Sequence, residues 1–275
     1  MEFIYLGTAA AEGFPALFCN CEYCKAAREK GGKNIRTRSQ AIIDGDLLID
    51  FPSDTYMHAL NNKFELHKVK TLIITHGHAD HFYSKDLLMR KDCFAHDMDV
   101  EILQIYCSEY VLKRFIHEVG SSNIKGINFN VFKAFETFSA GEYKITPLPA
   151  RHMFEEDAYI FIIEKQGKKI LYANDTGYFY QETFDYIKNN SIYFNFVSYD
   201  CTNVTIPIDD NGTHMGFENI SRVSKALKDM KSIDSNTIEF VTHFSHNGNP
   251  CHKRLVELAK PLNMGVAFDG CKVII

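Results

Sequence analysis

The chain has 275 residues, 45% of them hydrophobic, which is material for one large domain or two ordinary ones. No apolar run approaches the ~18 residues that a membrane-spanning helix needs, so no membrane partner is expected. A formal net charge of −5 argues against a protein that coats long nucleic acids, but leaves small phosphate esters open, because metal ions can supply local positive charge.

The opening stretch "MEFIYLGTAAAEGF" holds only the short apolar run FIYL (3–6), too brief for a secretory leader, and reads as a first strand. Next comes "CNCEYC", in which Cys19, Cys21 and Cys24 have a Cys-x-Cys-x-x-Cys spacing that puts three thiolates within reach of one ion. Tetrahedral zinc would need a fourth ligand. Eight cysteines in a chain this long do not make a disulfide scaffold, and a tight cluster reads as metal binding in a reducing, cytoplasmic compartment. The following stretch "KAAREKGGKNIRTR" (25–38) carries six basic residues against one acid. It is either a solvated face or a phosphate-steering rim with Arg36 or Arg38 nearest the site.

Further strands are predicted at AIID and LLID (41–50), KTLIIT (70–75), EILQIY (101–106), KITPLP (144–149), YIFIIE (159–164), KILYA (169–173), YFNFVSY (193–199), IEFVT (238–242) and VAFDG (266–270). Helices are predicted at "EYVLKRFIHEVG", "FENISRVSKALKDM" and "HKRLVELAK". In the second of these, Phe217, Ile220, Val223, Leu227 and Met230 share one face. No linker is long enough to split the chain, so one domain over 1–275 is expected, with the cysteine loop at about 19–24 as an appendage.

The polar clusters fall at regular places. "TLIITHGHADHF" sets His76, His78, Asp80 and His81 just after an apolar strand. His152 follows KITPLPAR, Asp175 follows KILYAN, Asp200 closes YFNFVSY, and His243 follows IEFVT. Loops held at the ends of rigid strands gather distant residues at one site. His-x-His puts alternate side chains on one side of an extended segment, so His76 and His78 converge on one cation while Asp80 and His81 serve a second. Imidazoles with carboxylates suit zinc, manganese or iron rather than calcium. Asp50 and Asp200 fit the role of carboxylates that orient histidine ligands. Cys93, Cys107, Cys201 and Cys271 read as packing residues, and His58, His67, His96 and His117 lack evident partners.

"THGHADH" resembles the His-x-His-x-Asp-His signature of the metallo-β-lactamase superfamily. The resemblance runs on through "LLIDFPSD", "ARH", "ANDTGY", "YDCT", "GTH", "THFSH" and "VAFDG". It is most similar to the PhnP branch of cyclic phosphodiesterases, and its opening also resembles PqqB, a relative in pyrroloquinoline quinone biosynthesis. The resemblance implies an αβ/βα four-layer sandwich of two mixed β-sheets. It implies one metal on His76, His78 and His152 and another on Asp80, His81 and His243, with Asp175 bridging. The two ions would be manganese or zinc, with iron as a third option. It further implies that His246 completes a structural zinc site with the three cysteines, with Cys251 and His252 as rivals, and that His214 acts with Asp80 in catalysis, His214 as the proton donor.

The activity so implied is hydrolysis of a small cyclic phosphodiester, of the ribose cyclic phosphate or 2′,3′-cyclic nucleotide type. The alternatives are a nuclease of the transfer-RNA 3′-processing kind and a PqqB-like metal-dependent oxidase. The absence of a long Gly/Pro- and Lys-rich arm and the negative charge speak against the nuclease. A homodimer is left open.

Overall fold

The computed structural model describes residues 1–152 and 157–275. Among these, the first half contributes strands β1 (Glu2–Gly7), β2 (Gln40–Ile43), β3 (Leu47–Ile49), β4 (Thr71–Ile73), β5 (Leu103–Cys107) and β6 (Ile127–Val131). The second half contributes β7 (Phe138–Ala140), β8 (Tyr143–Pro149), β9 (Tyr159–Lys165), β10 (Lys168–Ala173), β11 (Phe196–Asp200), β12 (Ile238–Thr242), β13 (Gly265–Val266) and β14 (Cys271–Ile274). The helices are α1 (Glu22–Lys30), α2 (Thr55–Asn62), α3 (Glu109–Val119), α4 (Gln181–Asn189), α5 (Phe217–Asp229) and α6 (His252–Ala259).

The strands form two 7-stranded mixed sheets, ordered β14-β1-β2-β3-β4-β5-β6 and β13-β12-β11-β10-β9-β8-β7. Each sheet begins with antiparallel pairs and ends with parallel ones: β3 through β6 run parallel in the first, β10 through β13 in the second. The two halves therefore repeat one another's wiring. In the order of strands, β14 crosses back to pair with β1, Phe3 opposite Val273, so the last strand closes the first sheet.

Alternation sorts the side chains into layers. Phe161 and Ile163 of β9 point into the space between the sheets with Phe3, Ile43, Ile49, Tyr172 and Phe196. Ile160 and Ile162 point the other way, into the apolar layer shared with Phe184 and Ile187 of α4, Ile220, Val223 and Leu227 of α5, and Leu255 of α6. On the far face of the first sheet, Ile42, Leu48, Leu72 and Ile105 pack with Val111 and Phe115 of α3. The result is helix, sheet, sheet, helix, the expected four-layer sandwich. Among the described residues no helix is long and apolar enough to cross a membrane.

The helix boundaries have local causes. Ser108 caps α3 by accepting the Val111 N–H, and Gly120, at φ 90°, ends it by donating to the Ile116 carbonyl. The apolar face predicted for α5 is buried, apart from Met230, which falls one residue past the helix end. The predicted strand VAFDG is the main misreading. Only Gly265–Val266 pair there, and the chain turns at Asp269 and Gly270 before β14.

Candidate metal centre

The sandwich brings the carboxyl ends of β3, β4, β8, β10, β11 and β12 to one edge, and every candidate ligand of the main site follows one of them. After β4 the chain leaves the sheet at Ile74, and a turn closes when the His81 and Phe82 amides donate to the His78 carbonyl at 3.0 and 2.8 Å. Phe51 clamps this turn from the next strand, its N–H on His81 O and its carbonyl on Tyr83 N, both at 2.7 Å. Asp50, Asp175 and His243 each leave their strand in the left-handed region, at φ 66°, 50° and 62°. That conformation costs a non-glycine residue of order 1–3 kcal/mol and persists only where the surroundings enforce it. Here it swings three strand-end side chains toward one point.

Two donor clusters result. His76 Nε2 and His152 Nε2 each lie 3.0 Å from His78 Nδ1. Three ligand nitrogens ~2.0–2.1 Å from one zinc-sized ion stand about 2.9–3.4 Å apart, depending on the angle at the ion. Beside them, Asp80 Oδ2 is 3.4 Å from His81 Nε2, and Asp175 Oδ2 is 2.7 Å from His81 Nε2 and 2.9 Å from His243 Nε2. Asp175 also turns Oδ1 toward His152, 3.7 Å away, and so touches both clusters.

The residues fit a pair of cations by a direct test. His81 Nε2, Asp175 Oδ2 and His243 Nε2 are buried and have no hydrogen-bond partner among the described residues, although both ring nitrogens lie within 3 Å of the carboxylate oxygen. The three atoms converge on a common point instead of pairing, and buried polar atoms left in that state need a ligand. The electrostatics agree. Burial lowers the basicity of His81 and His243, but Asp175 and its neighbouring carboxylates outweigh it, lifting His81 well above its ordinary value and His243 to about 10. Asp175 is held well below the ordinary carboxylate range by His243 and His81, against its burial. Protons on the histidines thus do what a cation would do. On the other side burial drives His76 well below its ordinary value and His152 to about 4, leaving both as neutral nitrogen donors.

The orienting groups predicted from sequence stand beside these histidines. Asp50, fully buried, lies 2.7 Å from His81 Nδ1 and accepts the Thr75 N–H and hydroxyl. Asp200 lies 3.0 Å from His214 Nδ1 and 3.4 Å from His243 Nδ1. His214 stands over the site, its ring 4.8 Å from that of His152 and stacked 5.6 Å from that of His243. Gly177 lets its loop come close: a Cβ there would sit 1.8 Å from the Gly212 carbonyl, so the 212–214 turn carrying His214 rests on the loop carrying Asp175. Thr202 was not anticipated, yet its hydroxyl touches both His214 and His243. The readable signal was the spacing of "YDCT": the Thr202 N–H bonds Asp200 Oδ1, a turn typical of an Asp followed two residues later by an amide.

The cysteine loop meets the same edge from outside. Cys19, Cys21 and Cys24 Sγ lie 3.5, 3.8 and 3.7 Å from His246 Nδ1. A tetrahedron with Zn–S ~2.3 Å and Zn–N ~2.0–2.1 Å has an S···N edge of about 3.6 Å, close to all three of these distances. The rivals lie elsewhere: Cys251 Sγ takes a bond from Lys30, and His252 Nδ1 is 3.2 Å from Arg36. His246 draws the Cys21 thiol down to about 6, while burial pushes Cys24 up to about 11. A cation must therefore displace a proton from Cys24 to enter.

Three readings of the sequence are corrected. Arg36 is no phosphate-steering residue. It is 2% exposed, donates to Thr8 Oγ1 and the Ala267 carbonyl, and stacks on Phe244. Arg38 is tied to Asp54 and the Ala11 carbonyl. Cys93 is exposed, unlike Cys107, Cys201 and Cys271. His58 is buried and has partners, Thr37 at 2.6 Å and Gln40 at 2.5 Å.

A β-lactamase superfamily domain matches residues 47–244, which spans the whole run from Leu47 in β3 to the residue after His243. The chain belongs to the metallo-β-lactamase superfamily. It is a metal-dependent hydrolase, and its His/Asp clusters are those of a divalent-metal site. Among solved structures it is similar to a diphosphatase from the PhnP family, at 19% identity over 100% of this chain and 97% of that one, TM-score 0.74. It is also similar to Zn(2+)-bound PqqB from Methylobacterium extorquens, at 16% identity over all of both chains, TM-score 0.75. The short form of human tRNase Z aligns at 15% identity over 100% of this chain and 99% of that one, TM-score 0.68. At these identities the likeness is one of fold. No curated protein matches the chain.

Exchanging Cys21 for serine tests the cysteine cluster apart from the main site. Structural zinc contributes directly to folding free energy, and here it would tie the 19–24 loop to the loop bearing His243. The expected result is the loss of about one zinc per chain and a lower thermal midpoint. Unchanged zinc in elemental analysis of purified Cys21→Ser would remove the structural site.

Proposed function

We propose that this hydrolase cleaves small cyclic phosphodiesters at a two-metal site, with a separate structural zinc on Cys19, Cys21, Cys24 and His246. In this reading His76, His78 and His152 would hold one ion and Asp80, His81 and His243 the other, with Asp175 available to both. The observation that carries it is the position of His214, which stands over the paired clusters with Nδ1 on Asp200 and, among the described residues, no hydrogen bond at Nε2. The ions would be manganese or zinc, with iron as a third option, since ligand type alone does not separate them.

When bound, such a pair supplies hydroxide near neutral pH and positive charge against the phosphoryl oxygens. The rest falls to the chain. Asp50 keeps His81 in one orientation by holding Nδ1, which directs Nε2 inward. Asp200 raises the basicity of His214 above its ordinary value, against the effect of burial, which favours the protonated ring. His214 Nε2 donates that proton to the departing sugar oxygen, the general-acid step. A cyclic diester presents one negative charge and a compact phosphorus centre, which a pair of divalent cations can span. The similarity to a PhnP-family diphosphatase supports phosphoryl chemistry as the class.

The test is a substrate panel on metal-exchanged protein: a chromogenic phosphodiester, a 2′,3′-cyclic nucleotide, a phosphomonoester, a thioester, a β-lactam and a transfer-RNA precursor. Diester turnover, with the five-membered cyclic ester preferred, is expected. Robust thioesterase activity without diesterase activity would move the chain to another branch, and oxygen consumption with bound iron would indicate a PqqB-like role.

A further inference from the structure

Four polar contacts meet at a single hydroxyl under the metal centre. Thr202 Oγ1 lies 2.8 Å from His243 Nδ1, 2.8 Å from the His243 carbonyl, 3.1 Å from Asp200 Oδ2 and 3.2 Å from His214 Nδ1. A hydroxyl has one proton to give and two lone pairs. His243 aims Nε2 at the cluster, where a ligand nitrogen must present a lone pair, so its ring proton sits on Nδ1 and the hydroxyl must accept it. The hydroxyl's own proton then goes either to the His243 carbonyl or to Asp200. The carbonyl is the shorter contact, and bonding it helps hold His243 in its left-handed conformation at φ 62°.

This assignment leaves Asp200 with a single histidine claimant, His214 at Oδ2. Oδ1 accepts the Thr202 and Met215 amides, both at 3.0 Å, and Oδ2 accepts the His214 Nδ1–H at 3.0 Å. His243 Nδ1 is only 3.4 Å from the same Oδ2. Without the hydroxyl, His243 would turn to that oxygen and compete with His214 for it. We infer that Thr202 is a positioning residue: its hydroxyl keeps the claims of His243 and His214 on Asp200 apart, so that one ring faces the cation and the other faces the substrate. The inference rests on the proposed two-metal site, but not on which substrate the site takes.

Thr202→Val removes the hydroxyl at nearly constant volume, and Thr202→Ser keeps it. With zinc as the probe metal, affinity of the main site is measured by chelator competition, and the retained cysteine-bound zinc and the melting profile serve as folding controls. Thr202→Val is expected to bind main-site zinc about 10–100-fold more weakly, the usual effect of removing a partner of a metal-bound histidine. Thr202→Ser should restore it. In the zinc-loaded protein the slowly exchanging His243 Nδ1–H proton, seen by ¹⁵N-resolved nuclear magnetic resonance, should persist in Thr202→Ser and shift or vanish in Thr202→Val. Zinc affinity within about twofold of the native protein, or an unshifted resonance, overturns the inference. If Thr202→Val fails its folding controls, Thr202→Ala is judged by the same two readings. A chain that hydrolyses no phosphodiester yet shows the zinc and resonance effects leaves Thr202 in place and removes only the proposed substrate.

Discussion

Asp175→Ala is expected to lose the main-site metals and, with them, turnover by on the order of 10³-fold or more, since the bridging carboxylate goes beyond the 10–100-fold that an orienting partner contributes. The cysteine-bound zinc should remain. Asp175 reaches both clusters, with Oδ2 against His81 and His243 and Oδ1 toward His152. Its removal leaves His81 Nε2 and His243 Nε2 buried without the charge that both now face. Elemental analysis with an activity assay decides it: an Asp175→Ala protein that retains two metals at the main site would show that the carboxylate bridges nothing.

The same residue has a signature in the metal-stripped protein. His81 and His243 are raised above their ordinary value of 6.5, His243 to about 10, with Asp175 the leading cause against burial. Groups raised on folding contribute stability that is complete below the unfolded value and is lost as pH climbs through the folded one. Metal-stripped protein should therefore lose thermal stability from about pH 6.5 upward, toward pH 10. Asp175→Ala, without the carboxylate that raises both rings, should lose less over the same window. Equal slopes for the two metal-stripped proteins would separate the histidine basicity from Asp175.

Much of this site could be read from the order of residues because its parts obey strand periodicity. IEFVT is a five-residue apolar run, and the structure pairs those same residues as β12, with His243 next in line. The cluster from His76 to His81 is local, so its density was visible without any tertiary information. Other features depend on contacts between residues far apart. Strands β6 and β7 are missing from the sequence reading for different reasons: INFNV does alternate apolar and polar residues and was readable, whereas FSA is only three residues long and is held by its pairing with β8. Helix α1 was hidden among charges; its N-terminus is set by Cys21, whose sulfur accepts the Cys24 amide. Arg36 looked like part of a basic rim, and only the fold shows it threaded inward to the Ala267 carbonyl, 231 residues away. The choice of His246 over Cys251 and His252 likewise depended on how the 245–252 loop meets the cysteine loop.

His214→Ala is expected to lower turnover of a cyclic nucleotide by roughly 10²–10⁴-fold while leaving metal content unchanged, the range for removing a general acid. The argument starts from ligand supply. His76, His78 and His152 on one side, and Asp80, His81 and His243 on the other, with Asp175 shared, give each ion three or four protein donors. A catalytic site of this kind keeps a position open. His214 adds no donor that the clusters lack: its Nδ1 is committed to Asp200 at 3.0 Å and lies 3.9 Å from Asp175 Oδ1. Asp200 is fully buried and held to about 2 by His214 and His243 despite its burial, so it remains a carboxylate and favours the protonated form of the His214 ring. A proton donor matters in proportion to how badly the leaving group needs the proton. Nitrophenolate departs readily as an anion and a sugar alkoxide does not, so His214→Ala should retain much more of its activity on a nitrophenyl diester than on the cyclic nucleotide. Loss of a metal in the variant would make His214 a ligand. Equal losses on both substrates would place its effect on binding, and full activity on the cyclic nucleotide would leave it a loop histidine with a well-made hydrogen bond.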